Sequence, residues 1–205
     1  MGFGFLLFGY CLYLNTIVPV YTIPAAGIVM ALGLRKLKVW NSGFRGAANA
    51  NIAVTLFGLF AVGLAIASLA GAGVSDTLSA VVSAGLCLLV ALFHFYLGSG
   101  IVSLAEEVGL LRLRGQAFFF RTIACVYWLL YAFFNLDLGE KFDTILTRML
   151  IPMIVVGFIV AVIGFAVLFA CYTDIGMPDE KNAPEKPGFL ARMKEKNREA
   201  SKKDD

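Results

Sequence analysis

In a chain of 205 residues, 60% hydrophobic and 15% charged side chains leave too little polar surface to wrap a water-soluble domain, and the mean hydropathy is +0.82. The composition is that of an integral membrane protein whose first partner is the lipid bilayer. The formal net charge is only +3, and no nucleic-acid partner is expected.

The opening MGFGFLL has neither a basic start nor a small-residue cleavage site, so no removed signal peptide is expected. Leu6 stands where myristoylation of Gly2 would want Ser or Thr. The apolar run then continues unbroken over residues 2–34. As one helix it would be about 50 Å long and overshoot a bilayer, yet two full crossings with a turn need about 44 residues.

The middle of the run matters more than its length. Pro19 and Pro24 remove two backbone donors, and Asn15 and Thr16 bond readily to nearby backbone, so residues 15–24 are not expected to form a clean helix. A break exposed to lipid is costly and belongs at an interface or in a protein-lined cavity. Tyr10, Tyr13 and Tyr21 flank it, as tyrosines do at headgroup level. A hairpin of two short legs is therefore preferred over a single broken crossing.

A basic loop follows, with Arg35, Lys36, Lys38 and Arg45. In and just after the next apolar span, 51–70, Gly63, Ala67 and Gly71 recur every four residues, a face suited to close helix packing within the chain or in an oligomer. After AGAG and Asp76, the span 77–97 holds the one histidine, His94, and runs into Gly98-Ser99-Gly100. The mixed-charge stretch SLAEEVGLLRLRGQ comes next. Glu106 and Glu107 are adjacent and so point apart on a helix, which suits a charge-laced interfacial helix rather than a carboxylate pair, and Arg112 and Arg114 follow.

The span 117–136 is rich in aromatics, with Arg121 near its start and Tyr127 and Tyr131 further on. Arg121 and Arg45 are expected to snorkel toward phosphates. An acidic loop at 137–143 leads to the last span, 149–172, where Gly157 and Ala161 form a second small-residue face. Residues 173–205 form a polar tail with eight basic and seven acidic side chains from Met177 on, expected to be largely disordered. Its Phe189, Leu190 and Met193 allow a short surface-lying helix.

Positively charged loops stay cytoplasmic. The Lys36 loop, the Arg112 and Arg114 segment and the tail therefore face inward, with Asp76 and the 137–143 loop outward. Both the five-segment and the six-segment counts keep the C-terminus inside. A shift of 76 residues aligns Gly33, Leu34, Leu37, Phe44 and Arg45 with identical residues in GLLRLRGQAFFFR, which suggests a tandem repeat and a single opening crossing. Identity outside this loop is close to that of chance.

For chemistry the chain offers little. His94 suits a proton relay or substrate contact, or else an uncharged histidine bonded near the inner end of its helix. Asn15 at the proline break suits either a transporter's broken-helix site or an ordinary turn. Cys11, Cys87, Cys125 and Cys171 are scattered without a CxxC pair and read as packing residues. No protease, phosphate-loop or dinucleotide motif is present, and no metal or cofactor is expected.

The opener GFGFLLFGY, the Asn and Pro break and the GLRKL basic turn resemble the start of small uncharacterised integral membrane proteins of clostridia-type bacteria. The resemblance covers about the first 40 residues and implies a bacterial cytoplasmic membrane protein. The expected fold is all-α: a polytopic transmembrane helix bundle over residues 1–172 with five long or six membrane segments, the first two short, and a polar cytoplasmic tail. A non-enzymatic scaffold, sensor or complex subunit is expected. The alternative is a small oligomeric transporter or channel using Asn15, His94, Tyr127 and Tyr131.

Overall fold

The computed structural model describes residues 2–13, 19–136 and 140–175. Residues 14–18 with Asn15, residues 137–139 of the acidic loop, and the tail from 176 with Phe189, Leu190 and Met193 lie outside the described residues. The described chain is all-helical: α1 (Gly2–Tyr13), α2 (Pro19–Leu37), α3 (Ser42–Leu69), α4 (Asp76–Val108), α5 (Leu111–Phe134) and α6 (Glu140–Asp174). Four stretches are long and apolar enough to cross a membrane, namely α3, α4, α5 and Ile151–Asp174 of α6.

The opening run folds as two antiparallel helices. A Cβ on Gly2 would lie 2.7 Å from Leu37 Cγ, and one on Gly33 would lie 2.5 Å from the Gly2 carbonyl. The start of α1 therefore sits beside the end of α2. The first helix ends at Tyr13 and the second begins at Pro19, so Pro24, expected within the irregular stretch, lies inside α2. Pro19 opens the helix, where its missing N–H has no intrahelical partner to lose. Pro24, one turn later, loses a single bond, and its ring packs where Gly58 of α3 has no side chain.

Each helix runs antiparallel to its chain neighbour and packs on it, and α1 also packs against α6, which closes the six helices into a ring. Gly4 meets Tyr172, Phe3 and Phe44 meet edge to face at 5.9 Å, and Tyr10 packs on Gly164. The ends of α2, α4 and α6 and the starts of α1, α3 and α5 thus share one end of the bundle. We call it the basic end, since Arg35, Lys36, Lys38, Arg45, Arg112 and Arg114 lie there. The turn at residues 70–75 lies at the other.

Two helices outrun their apolar spans. α3 begins at Ser42 because Asn41 caps it, its Oδ1 accepting from Phe44 N at 3.0 Å while its Nδ2 donates to the Gly100 carbonyl at 3.0 Å. α4 runs straight through Gly98-Ser99-Gly100 to Val108. These glycines mark a helix crossing: a Cβ on Gly43 would stand 2.5 Å from Gly100 N, so only bare backbones fit.

Gly71 and Gly109 end α3 and α4 in left-handed conformation, at φ +81° and +79°. The next N–H reaches back across each helix end, from Ala72 to Ala67 O at 3.0 Å and from Leu110 to Ala105 O at 2.8 Å, satisfying carbonyls that the ended helix leaves open.

The 76-residue offset is not mirrored in the fold. Residues 2–13 and 19–34 belong to two antiparallel helices, whereas their counterparts 78–110 lie on one helix and its cap. Gly33 sits inside α2, but Gly109 terminates α4.

Burial is graded along the ring. Every buried residue of α3 lies between Phe44 and Gly58, and from Leu59 to Leu69 none is buried. On α6, among the described side chains, Met149 and residues 151–159 hold no buried position and the first is Val160. Beyond the basic half α3 and α6 stand apart from the bundle, while α4 and α5 stay packed on each other, with Val82, Ala84, Cys87 and Ala132 still buried.

Candidate functional site

His94 lies at the centre of the packed half and is 1% exposed. Its Nδ1 is 2.8 Å from the Val90 carbonyl one turn back on α4, and with the proton on that nitrogen Nε2 is an acceptor facing the Tyr10 hydroxyl of α1 at 3.5 Å. Rings enclose it: Phe93 at 5.4 Å, Phe120 at 5.7 Å and Tyr10 at 6.0 Å, all edge to face, with Trp128 stacked at 6.1 Å. Trp128 then meets Tyr127 at 5.3 Å and Tyr131 at 5.9 Å, and the two tyrosines stack on each other. The row from Tyr10 to Tyr131 joins α1, α4 and α5.

The structure therefore gathers His94, Tyr127 and Tyr131, through Trp128, by ring packing. Asn15 lies outside the described residues. Phe120 and Trp128 were not singled out in the sequence, and Tyr10, expected at headgroup level, is instead buried at 2% exposure against His94. The signal for Phe120 and Trp128 was the aromatic density of α5, where Phe120, Tyr127, Trp128 and Tyr131 recur at helical spacing.

A second buried polar group ties α3 to α2. Asn51, 1% exposed, donates from Nδ2 to the Gly27 carbonyl at 2.8 Å. Its Oδ1 is buried with no hydrogen-bond partner. Thr55 leans back to the Asn51 carbonyl at 2.7 Å, and its side chain crowds Gly27.

At the basic end Arg35, Lys36, Lys38, Arg45, Arg112 and Arg114 are all exposed. Lys36 lies over the Phe5 ring at 5.4 Å. Arg114 pairs with Glu106, not Glu107, at 3.7 Å across the Gly109 turn, an exposed contact worth little. Arg121 is half-buried, its guanidinium 4.7 Å from the Phe118 ring and 5.4 Å from Phe95, and it donates to Ser99 Oγ at 3.2 Å. Cation–π contact and the closeness of Gly98 to its stem hold that side chain against α4.

Beside these cations a cleft of about 660 Å³ opens between the start of α5 and the end of α6. Arg112, Gln116 and Asp174 are its polar members, above walls that include Leu113, Phe119, Ile163 and Val167.

The small-residue faces differ from one another. Gly63 is exposed, with open space where a Cβ would be, so the face it shares with Ala67 makes no helix contact at Gly63 inside the chain. Gly71 terminates α3 and makes no packing contact inside the chain. Gly157, by contrast, receives Tyr127 on α6, one turn before half-buried Ala161. The four cysteines are unpaired, and among the described residues no cluster of metal-ligating side chains forms.

No protein-family model matches the chain, and no curated protein and no solved structure matches it.

Proposed function

We propose that this chain is a non-enzymatic scaffold or complex subunit of the bacterial cytoplasmic membrane. It crosses with six segments, the first two short, and holds the N-terminus, the C-terminus and the basic end on the cytoplasmic side. The observation that carries this reading is the gathering of six exposed cations, from α2, the loop after it, α3 and α5, at one end of the ring. Such a surface attracts acidic partners and anionic headgroups. The interior polar groups support the same reading, since His94 and Asn51 are engaged in joining helices.

The test is purification from native membranes in mild detergent. A partner held in fixed ratio by the wild type should be lost from a Lys36→Glu, Lys38→Glu, Arg45→Glu variant and kept by His94→Phe. Proton or solute flux in liposomes that the wild type supports and His94→Ala abolishes would instead establish the transporter alternative.

A further inference from the structure

The cleft at the basic end has its polar and apolar parts in a definite order. On α5, Arg112, Gln116 and Phe119 follow at intervals of four and three, on one face. On α6, Ile163, Val167, Ala170 and Asp174 follow at four, three and four, on the face opposite. Arg112 and Asp174 thus stand at the mouth, and the apolar wall of α6 descends about 16 Å from Asp174 to Ile163. Among the described residues the salt bridge at this end joins Arg114 to Glu106, so Arg112 and Asp174 line one cleft without pairing with each other.

A ligand matching this lining carries an anion and a hydrogen-bonding cation on one head and an apolar chain below. Guanidinium takes phosphate with directed paired bonds. The first turn of α5, which has no side-chain cap, adds N–H groups at the same place. A carboxylate at the mouth repels a purely anionic head but accepts hydrogen bonds from a primary ammonium. Asp174 already accepts one bond, from Thr173 Oγ1 at 2.9 Å, which orients it.

We propose that the cleft between α5 and α6 binds an aminophospholipid, its phosphate on Arg112 and the first turn of α5, its ammonium on Asp174, and an acyl chain along Val167 and Ile163. The proposal rests on the membrane reading above. It goes beyond that reading by giving one lipid class a built site.

The experiment uses the full chain in vesicles of equal parts phosphatidylethanolamine and phosphatidylglycerol, with a photo-crosslinking residue in place of Phe119 in the cleft or of exposed Phe158 on the outer face of α6. Mass spectrometry of the adducts should show the ethanolamine lipid favoured about fivefold at 119 and the bulk ratio at 158. Asp174→Asn should return position 119 to the bulk ratio, and Arg112→Gln should lower total lipid adduct there. A bulk ratio at 119 in the wild type, a preference unmoved by Asp174→Asn, or adducts to residues 187–193 or to a second copy would overturn the site. Absence of lipid adducts at 158 as well would overturn the membrane reading itself.

Discussion

The two ends of the ring are built from similar apolar residues and behave differently. At the basic end Gly43 and Gly100 bring α3 and α4 to backbone contact, and Phe44, Leu97, Ala117 and Phe120 are fully enclosed. Toward the other end Leu59, Phe60, Ile66 and Leu69 on α3 and Ile151, Ile154 and Phe158 on α6 are exposed. Hydrophobicity does not separate the two, because lipid solvates an exposed leucine as well as a neighbouring helix does. What separates them is backbone access and polar ties. The glycines that bring two backbones together, Gly43 and Gly100, and the buried groups Asn51 and His94 lie in the packed half.

The sharpest test exchanges glycine for leucine in each half. Gly43→Leu must force α3 from α4, since its Cβ would meet backbone that no rotamer change can move, and should cost about 3 kcal/mol or more in reversible detergent unfolding. An unchanged unfolding curve would remove the crossing from the account. His94→Ala empties a ring-lined space and should cost about 2–3 kcal/mol, with His94→Phe recovering most of it. Equal losses in the two variants would mean that hydrogen bonding, not packing, gives His94 its role. Asn51→Ala breaks one interhelical bond and should cost about 1 kcal/mol by the same assay. Gly63→Leu, facing open space, should shift stability by less than about 0.5 kcal/mol. A large loss there would reveal a helix contact at that face in the membrane.

The helices and their order were legible because span length and loop charge repeat a simple rule along the chain. The division of the opening run into two helices was legible from Pro19, although Pro24 proved compatible with helix once Gly58 made room. Helix ends were less so. The apolar span ended at Leu97, before Gly98-Ser99-Gly100, because nothing local shows Phe44 and Gly43 lying across those glycines, and the face with Gly63 and Gly71 meets no helix within the chain at either glycine. A small residue allows close approach but does not say which helix arrives. His94 could be recognised as notable from its position in an apolar span. Its enclosure by Tyr10 and Phe120 depends on α1 folding back to meet α4, a contact across 84 positions that no local pattern announces.

The central claim is that the α1–α2 hairpin brings the N-terminus to the basic end, on the cytoplasmic side. Impermeant thiol labelling in cells tests it, with single cysteines appended to the N-terminus or placed at Val39 and at Gly73 in a background lacking the four native cysteines. Labelling of Gly73→Cys in intact cells, with the N-terminal cysteine and Val39→Cys reacting only after permeabilisation, is the predicted result. Reaction of the N-terminal cysteine together with Gly73→Cys in intact cells would contradict it.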